Sequence, residues 1–246
     1  MENNKQQILF EDKDIIVCHK PAGIATQTAK IGQRDMVSEV TNYLAASAMQ
    51  KPYVGLIHRL DQPVEGILVF AKHSKAAAAL SKQISDNRMQ KCYYAVVSTD
   101  NFSMEKMSDE TLRAQGKGTT GTLIDYLYKD GKTNTSSVVS KERKDAKRAE
   151  LSYELVKEHP EKGIALVKIK LVTGRHHQIR VQMSHAGMSL IGDYKYADRK
   201  AKQLSEELGQ KQVALCAYEL GFLHPMSGKE LVFRTKPTGE IFQYFL

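Results

Sequence analysis

Cysteine is scarce in this chain. There are three in 246 residues, Cys18, Cys92 and Cys216, and none belongs to a C-x-x-C pair. An odd count without paired spacing argues against a disulfide framework and is compatible with a reducing compartment. Long apolar runs are also missing, and none approaches membrane-spanning length. The opening MENNKQQILFEDKD is polar and charged, unlike a secretory leader, so a cytoplasmic location with no membrane partner is expected. Three nucleotide and hydrolase signatures are absent: the G-x-x-x-x-G-K-[ST] loop, the G-x-G-x-x-G fingerprint and the G-x-S-x-G elbow. That sets aside P-loop ATPases, dinucleotide-dependent dehydrogenases and α/β hydrolases. No internal repeat or low-complexity linker divides the chain.

What is present is an ordinary globular composition, 41% hydrophobic and 26% charged, with an excess of positive charge. The formal net charge is +8 and the isoelectric point about 9.2. Such a balance suits a polyanionic partner, although a solubility charge reads the same way. Ile8–Phe10 and Ile15–Cys18 flank the charged turn EDKD, which predicts a hairpin, and KPAG (20–23) is a turn. Met36, Val37, Val40 and Leu44 have helical spacing over Asp35–Met49, with Asp35 as cap. Val54–Ile57, Ile67–Ala71 and Cys92–Ser98 read as strands, and Ser74–Ile84 as an alanine-rich helix capped by Ser74.

The polar stretch Thr99–Gly121 reads as a long loop or insertion. Leu123–Tyr128, Ser136–Val139 and Ala149–Val156 follow as antiparallel strands, the last two joined by the basic loop KERKDAKR (141–148), which is a solvated turn or a contact for a phosphate backbone. Ile164–Val172 is a strand, and a helix capped by Thr173 and stopped by Gly187 is expected after it. A helix over Asp198–Leu208, strands over Val213–Leu223 and Glu230–Arg234, and a short terminal helix complete the chain. Strands outnumber helices and often follow one another directly, which favours an α+β fold with an antiparallel or mixed sheet.

Two places carry candidate chemistry. In HRLDQPVEGILVFAK (58–72), Asp61 stands between basic residues and a buried apolar run. As a turn residue it would be held by backbone N–H groups or by Arg59. As a functional carboxylate it would stay ionised beside a cation and serve as nucleophile or base. In GRHHQIR (174–180), the adjacent histidines diverge by ~100° on a helix, and His177 and His185 would be about 12 Å apart, so one metal ion is not chelated. With no H-E-x-x-H and no cysteine pair, no metal is expected. Arg175 and Arg180 at a helix start can bind phosphate or pair with a carboxylate such as Asp61. Tyr93 and Tyr94 share a strand and face opposite sides, one for the core and one able to stack on a base.

Five blocks in this order resemble the RluA-type pseudouridine synthases: ILFEDKDIIVCHKPAGI, HRLDQPVEG, KCYYAVV, LVTGRHHQIRVQMSHAGMSLIGD and LCAYELGFLHP. The resemblance spans nearly the whole chain and implies one catalytic domain over residues 1–246. The implied fold is α+β, with a central mixed, mainly antiparallel sheet flanked by helices and a basic active-site cleft. The implied activity is isomerisation of uridine to pseudouridine in ribosomal or transfer RNA, without cofactor or metal. Asp61 corresponds to the catalytic aspartate, Arg180 to its cationic partner, Tyr93 to the tyrosine against the target base and Leu215 to an apolar pocket residue. Arg59, Arg175, His177 and Gln178 are expected to contact RNA. A monomer with no obligate protein partner is expected.

Three departures from the family pattern stand out. The usual x-x-T-S-G after the aspartate is Gln62-Pro63-Val64-Glu65-Gly66, and Glu65 is expected either to pair with a local arginine or to face solvent. His176 replaces a threonine, and Cys216 stands where histidine is common. The chain begins at the catalytic hairpin, so no S4 RNA-binding domain is expected before it, and target selection falls to Thr99–Gly121 and Lys141–Arg148. Two rival readings follow from the same residues: an RNA-binding protein that keeps the cleft but has lost turnover, and a two-carboxylate glycosidase using Asp61 and Glu65.

Overall fold

The computed structural model describes residues 8–28, 32–46, 51–99 and 120–246. Most of the expected insertion (100–119), and residues 47–49 of the first expected helix, lie outside the described residues. The chain folds as two compact units, one comprising Met1–Lys91 with Cys216–Thr238, the other Cys92–Leu215 with Gly239–Leu246.

The first unit is built on β1 (Ile8–Glu11) and β2 (Ile15–Lys20), the expected hairpin. Asp12 makes its turn, its Oδ1 accepting from the N–H groups of Asp14 and Ile15 at 2.8 Å each. β2 runs antiparallel to β4 (Glu65–Ala71), from Ile15 opposite Ala71 to Lys20 opposite Gly66. β4 also pairs in parallel with the start of β10 (Leu215–Leu223), which pairs antiparallel with β11 (Glu230–Arg234). Lying inside the sheet, β2 and β4 are buried at every position, which is why both read as continuous apolar runs. The expected strand over Val54–Ile57 is only the two-residue β3 (Gly55–Leu56).

Two helices accompany these strands. Asp35 caps α1 (Met36–Ala45) by accepting from Ser38 N–H, as expected. α2 (Ser74–Ser85) is capped by His73 rather than by Ser74, which is its first turn. The imidazole Nδ1 accepts from Ala76 N–H at 3.2 Å, a role open to it because Asp14 holds its Nε2 (2.9 Å). Leu80 of α2 packs with Ile15, Val17, Ile67, Val69 and Phe222 in the core of this unit.

The second unit has strand order β5-β9-β8-β6-β7. These strands are β5 (Gln90–Ser98), β6 (Thr120–Asp130), β7 (Thr135–Val139), β8 (Lys147–His159) and β9 (Ile164–Leu171). The β6–β7, β6–β8 and β8–β9 pairs are antiparallel. α3 (Gln178–His185) packs on β7 and β6, with Val181 against Leu127, Ala149, Val138 and Tyr196. The expected cap of α3 at Thr173 is corrected: the cap is His177, four residues later, because Thr173 is spent in a hydrogen-bonded loop. Its stop is as expected, with Gly187 at φ +78° and Met188 N–H reaching back to the Met183 carbonyl (2.8 Å). Asp198 caps α4 (Arg199–Glu207), and the terminal helix is a single 3₁₀ turn, Glu240–Tyr244. The result is the expected α+β class, with mainly antiparallel strand pairing and helices on the sheet.

Candidate active site

Asp61 sits half-buried at the head of a turn closed by Val64 N–H on its carbonyl (3.0 Å). The loop around it is stitched to the KPAGIAT segment. Thr26 Oγ1 donates to Leu60 O (2.8 Å) and accepts from Leu60 N–H (3.1 Å), while Gly23 N–H donates to Gln62 O (2.8 Å). The centre of this stitching is Lys20. Its side chain is fully buried, and its ammonium donates to the carbonyls of Pro21 (3.0 Å), Ile24 (2.7 Å) and Gln62 (3.1 Å). Burial pushes its pKa down to about 8, against the attraction of Asp61 and then of Glu65. A buried cation therefore fixes the backbone beside Asp61 and contributes a positive field at its carboxylate. Sequence reasoning took KPAG only as a turn and missed Lys20. The signal was a lysine closing the apolar strand IIVCHK.

The flanking residues differ in role. Arg59 is exposed and donates from Nη2 to Gln27 Oε1 (2.6 Å). His58 accepts from Val69 N–H (3.3 Å), and desolvation followed by repulsion from Lys91 pushes it down to about 3, so it is neutral at working pH.

In the second unit, Arg180 is buried and gripped by Asp193, with Nε on Oδ2 and Nη2 on Oδ1, both at 2.7 Å. Asp193 also accepts from the N–H groups of Lys195 (3.1 Å) and Tyr196 (3.2 Å), so the fork is set by backbone. The guanidinium carbon lies 5.0 Å from the centre of the Tyr196 ring. Asp193 was not among the sequence candidates, although it closes the quoted block LIGD. Arg175 is exposed in the loop before α3, not at the helix start, and its Nε donates to Arg148 O (2.9 Å). Gln178 is buried with its amide engaged. Its Oε1 accepts from Thr173 Oγ1 and Arg175 N–H (2.9 Å each), and its Nε2 donates to Glu150 O (3.0 Å). Gln178, expected to contact RNA, is held in this loop by these bonds. Tyr93 is buried on β5, Tyr94 is half-buried, and Leu215 is buried at the start of β10.

The chain as a whole matches known proteins. Residues 14–185 match the RNA pseudouridylate synthase family. This chain belongs to that family. It is 31% identical over 235 residues to the ribosomal large subunit pseudouridine synthase D of Zymomonas mobilis, covering 92% of this chain and 68% of that one. It is 26% identical over 240 residues to the tRNA pseudouridine synthase C of Vibrio parahaemolyticus, covering 93% and 89%. Several of the curated relatives are longer, and the chain spans 63% to 69% of four of them. The fold matches human RNA pseudouridylate synthase domain containing 4 at a TM-score of 0.74 and 20% identity, over 99% of this chain and 92% of that one. The class of the protein is therefore an RNA pseudouridine synthase, an isomerase of uridine in RNA.

Seen as a synthase, the chain absorbs its departures with local partners. Glu65 does not face solvent, and that expectation is corrected. It is 3% exposed, and its Oε2 accepts from Thr238 N–H (3.0 Å) and from the Thr238 hydroxyl. His19 Nε2 stands 3.6 Å from the same oxygen while its Nδ1 meets Thr235 Oγ1 at 3.1 Å. A carboxylate so placed is a tie for the segment after β11. Gly66 beside it is at φ +130°, and a Cβ there would lie 2.4 Å from Ala217 O across the parallel pair, so no other residue fits. His176 pairs through Nδ1 with Ser136 Oγ (2.9 Å) and stacks on His177 with ring centres 3.7 Å apart. His177, in the left-handed region at φ +54°, meets Tyr196 OH through Nδ1 at 2.5 Å.

A histidine–carboxylate cluster lies elsewhere in the first unit, where Asp12, Asp14 and His224 bring potential ligand atoms within 4.8 Å. The His224 ring opposes a metal. Its Nδ1 accepts from Met226 N–H (3.3 Å) and Ser227 N–H (3.1 Å), which places the ring proton on Nε2, where it is donated to Asp12 (2.8 Å). A metal ligand would need that lone pair. The cluster instead fastens the β1–β2 turn to the HPMSG turn.

Proposed function

We propose that this chain isomerises particular uridines of structured ribosomal or transfer RNA, acting on a nucleotide flipped out of its helix or already unpaired. In this reading Asp61 is the anionic nucleophile or base, Arg180 its cationic partner, Tyr93 the face against the uracil and Leu215 part of the apolar wall. Arg59, Arg175 and His177 contact the surrounding RNA. The reaction breaks the bond from C1′ to N1 and forms one from C1′ to C5. The C5 proton leaves to solvent and N1 gains one, so nothing beyond the uridine is consumed. Asp61 can begin at C6 of the base or at the sugar, and both routes need its ionised form.

The observation that carries the proposal is the Asp61 loop itself: a half-buried carboxylate on a backbone braced by the buried Lys20 ammonium. Such a loop holds the carboxylate in fixed geometry, while the three hydrogen bonds of the lysine go to backbone carbonyls. The test is release of tritium from RNA labelled at C5 of uridine, followed by mapping of pseudouridine in RNA from cells with and without the gene. Tritium release and a site lost with the gene are expected. RNA binding without tritium release from any cellular RNA would favour the non-catalytic reading.

A further inference from the structure

The β6–β7–β8 sheet has two unlike faces. On one, Leu127, Ala149 and Leu151 are buried, with α3 packed above. Alternation turns Ile124, Tyr126 and Tyr128 of β6 to the other. The register places Val139 and Arg148 on either side of Tyr126. Arg143, from the β7–β8 loop, lies over the Tyr128 ring at 3.8 Å from its centre. Ile124 is 53% exposed, and Val172, at the end of the neighbouring strand, 43%. An antiparallel sheet often leaves one face to water, but that face is then usually polar. Here an isoleucine and two tyrosines stand in one file, bordered by arginines.

The charge of this face is not confined to one side chain. The loop before β8 offers Lys141, Arg143 and Lys144 against Glu142 and Asp145, and Arg148 follows opposite Tyr126. Arg148 gives its Nη1 to Glu150 (2.6 Å), and its carbonyl receives Arg175 Nε from the loop that leads to α3. Positive charge thus continues from the outward face to the segment that carries His177 and Arg180. A planar aromatic file with guanidinium groups at its border suits unpaired nucleotides, whose bases stack and whose phosphates take the arginines. It suits an A-form duplex less, since paired bases offer no free face.

We propose that this outward face is a second RNA-binding surface, where unpaired nucleotides flanking the modified uridine stack on Tyr126 and on the Arg143 guanidinium that covers Tyr128, and Arg148 holds their phosphates. The surface rests on the reading of the chain as an RNA-modifying enzyme, yet it is tested separately. The arrangement of Arg143 on Tyr128 is already made in the protein alone, so little side-chain freedom is lost on binding.

The test uses the full chain, a 12-nucleotide oligouridylate carrying 4-thiouridine, and a blunt RNA duplex of equal length. Photo-crosslinks are expected in the peptide spanning β6, with weaker capture of the duplex. The double variant Tyr126→Ala/Tyr128→Ala should lose roughly tenfold or more in affinity for the oligonucleotide. Tyr126→Phe/Tyr128→Phe should bind like wild type, and it separates stacking from loss of fold. Arg143→Glu, at an exposed position, should weaken binding and flatten its salt dependence. In the tritium assay on long RNA, the alanine pair should raise KM and spare kcat. Crosslinks confined to other peptides, alanine variants that bind as wild type, or equal capture of duplex and single strand would overturn the surface. Crosslinks on β6 without tritium release would keep the surface and sink the proposed activity; release without them would do the reverse.

Discussion

β4 and β6 are both strands of single-residue alternation, and the protein uses them in opposite ways. β4, EGILVFA, is buried at all seven positions. β6, TGTLIDYLYKD, turns one face to α3 and the other to solvent. The charges near each follow suit. At the head of β4, Glu65, Lys20 and His19 are buried and held by directed partners. Beside β6, Arg143 and Arg148 are exposed. Dry charges interact strongly, resist salt and are costly to unpair, whereas wet ones are cheap, screened and replaceable. Chemistry on a nucleoside needs the first kind, and grip on a polyanion the second.

This contrast breaks most visibly at Asp61. Asp61→Asn should lower tritium release on the order of a thousandfold or more while leaving oligonucleotide affinity within a few fold; a retained rate would remove Asp61 from the mechanism. Arg180→Ala leaves the buried Asp193 without its fork and should cost about 3–5 kcal/mol in denaturant unfolding, with turnover crippled. Arg180→Lys should recover only part of each, because an ammonium cannot reproduce two parallel hydrogen bonds. Glu65→Ala strips the acceptor from Thr238 and should lower stability by about 1–3 kcal/mol, whereas Glu65→Gln should sit nearer wild type. Equal unfolding midpoints for the three proteins would show that the tie is slack.

A further effect is a pH signature. Lys20 has a pKa of about 8 in the folded chain and an ordinary lysine value once unfolded. Between these values the unfolded chain binds a proton that the folded one has released, so this group favours folding increasingly as pH rises above about 8. Over the same range the positive field beside Asp61 fades, and turnover should fall. Rate and stability are thus expected to diverge with alkaline pH. Lys20→Met should abolish that divergence, measured by paired unfolding curves and rates. The exposed arginines near β6 should contribute salt dependence.

Periodicity made much of this architecture legible. The β1–β2 hairpin, α1 with its Asp35 cap, β4 and the strands of the second unit announce themselves through alternation, continuous apolar runs or a capping residue. What stayed hidden depends on partners distant in sequence. His73 caps α2 because Asp14 orients its ring. Thr173 looked like a cap but serves the Glu150–Gln178 loop. Glu65 reads in the sequence as either paired with a local arginine or solvated, because Thr238, which it binds, and Thr235, which it reaches through His19, lie at the far end of the chain. The family resemblance marked Asp61, Tyr93 and Arg180, but composition and spacing alone left Asp61 as either a turn residue or a catalyst. Neither route pointed to Lys20 or Asp193, whose importance lies in what they hold in place.

The three cysteines have a practical consequence. None is in a disulfide and all are buried, on β2, β5 and β10. Burial pushes the Cys18 thiol up to about 12, and burial with the nearby Glu65 raises Cys216 as well. Only the thiolate is nucleophilic, so alkylating reagents at neutral pH will find the closed protein inert and will mark molecules whose strands have momentarily parted. The unaltered polypeptide therefore carries three built-in clocks for local opening, readable by mass spectrometry without introducing a single label.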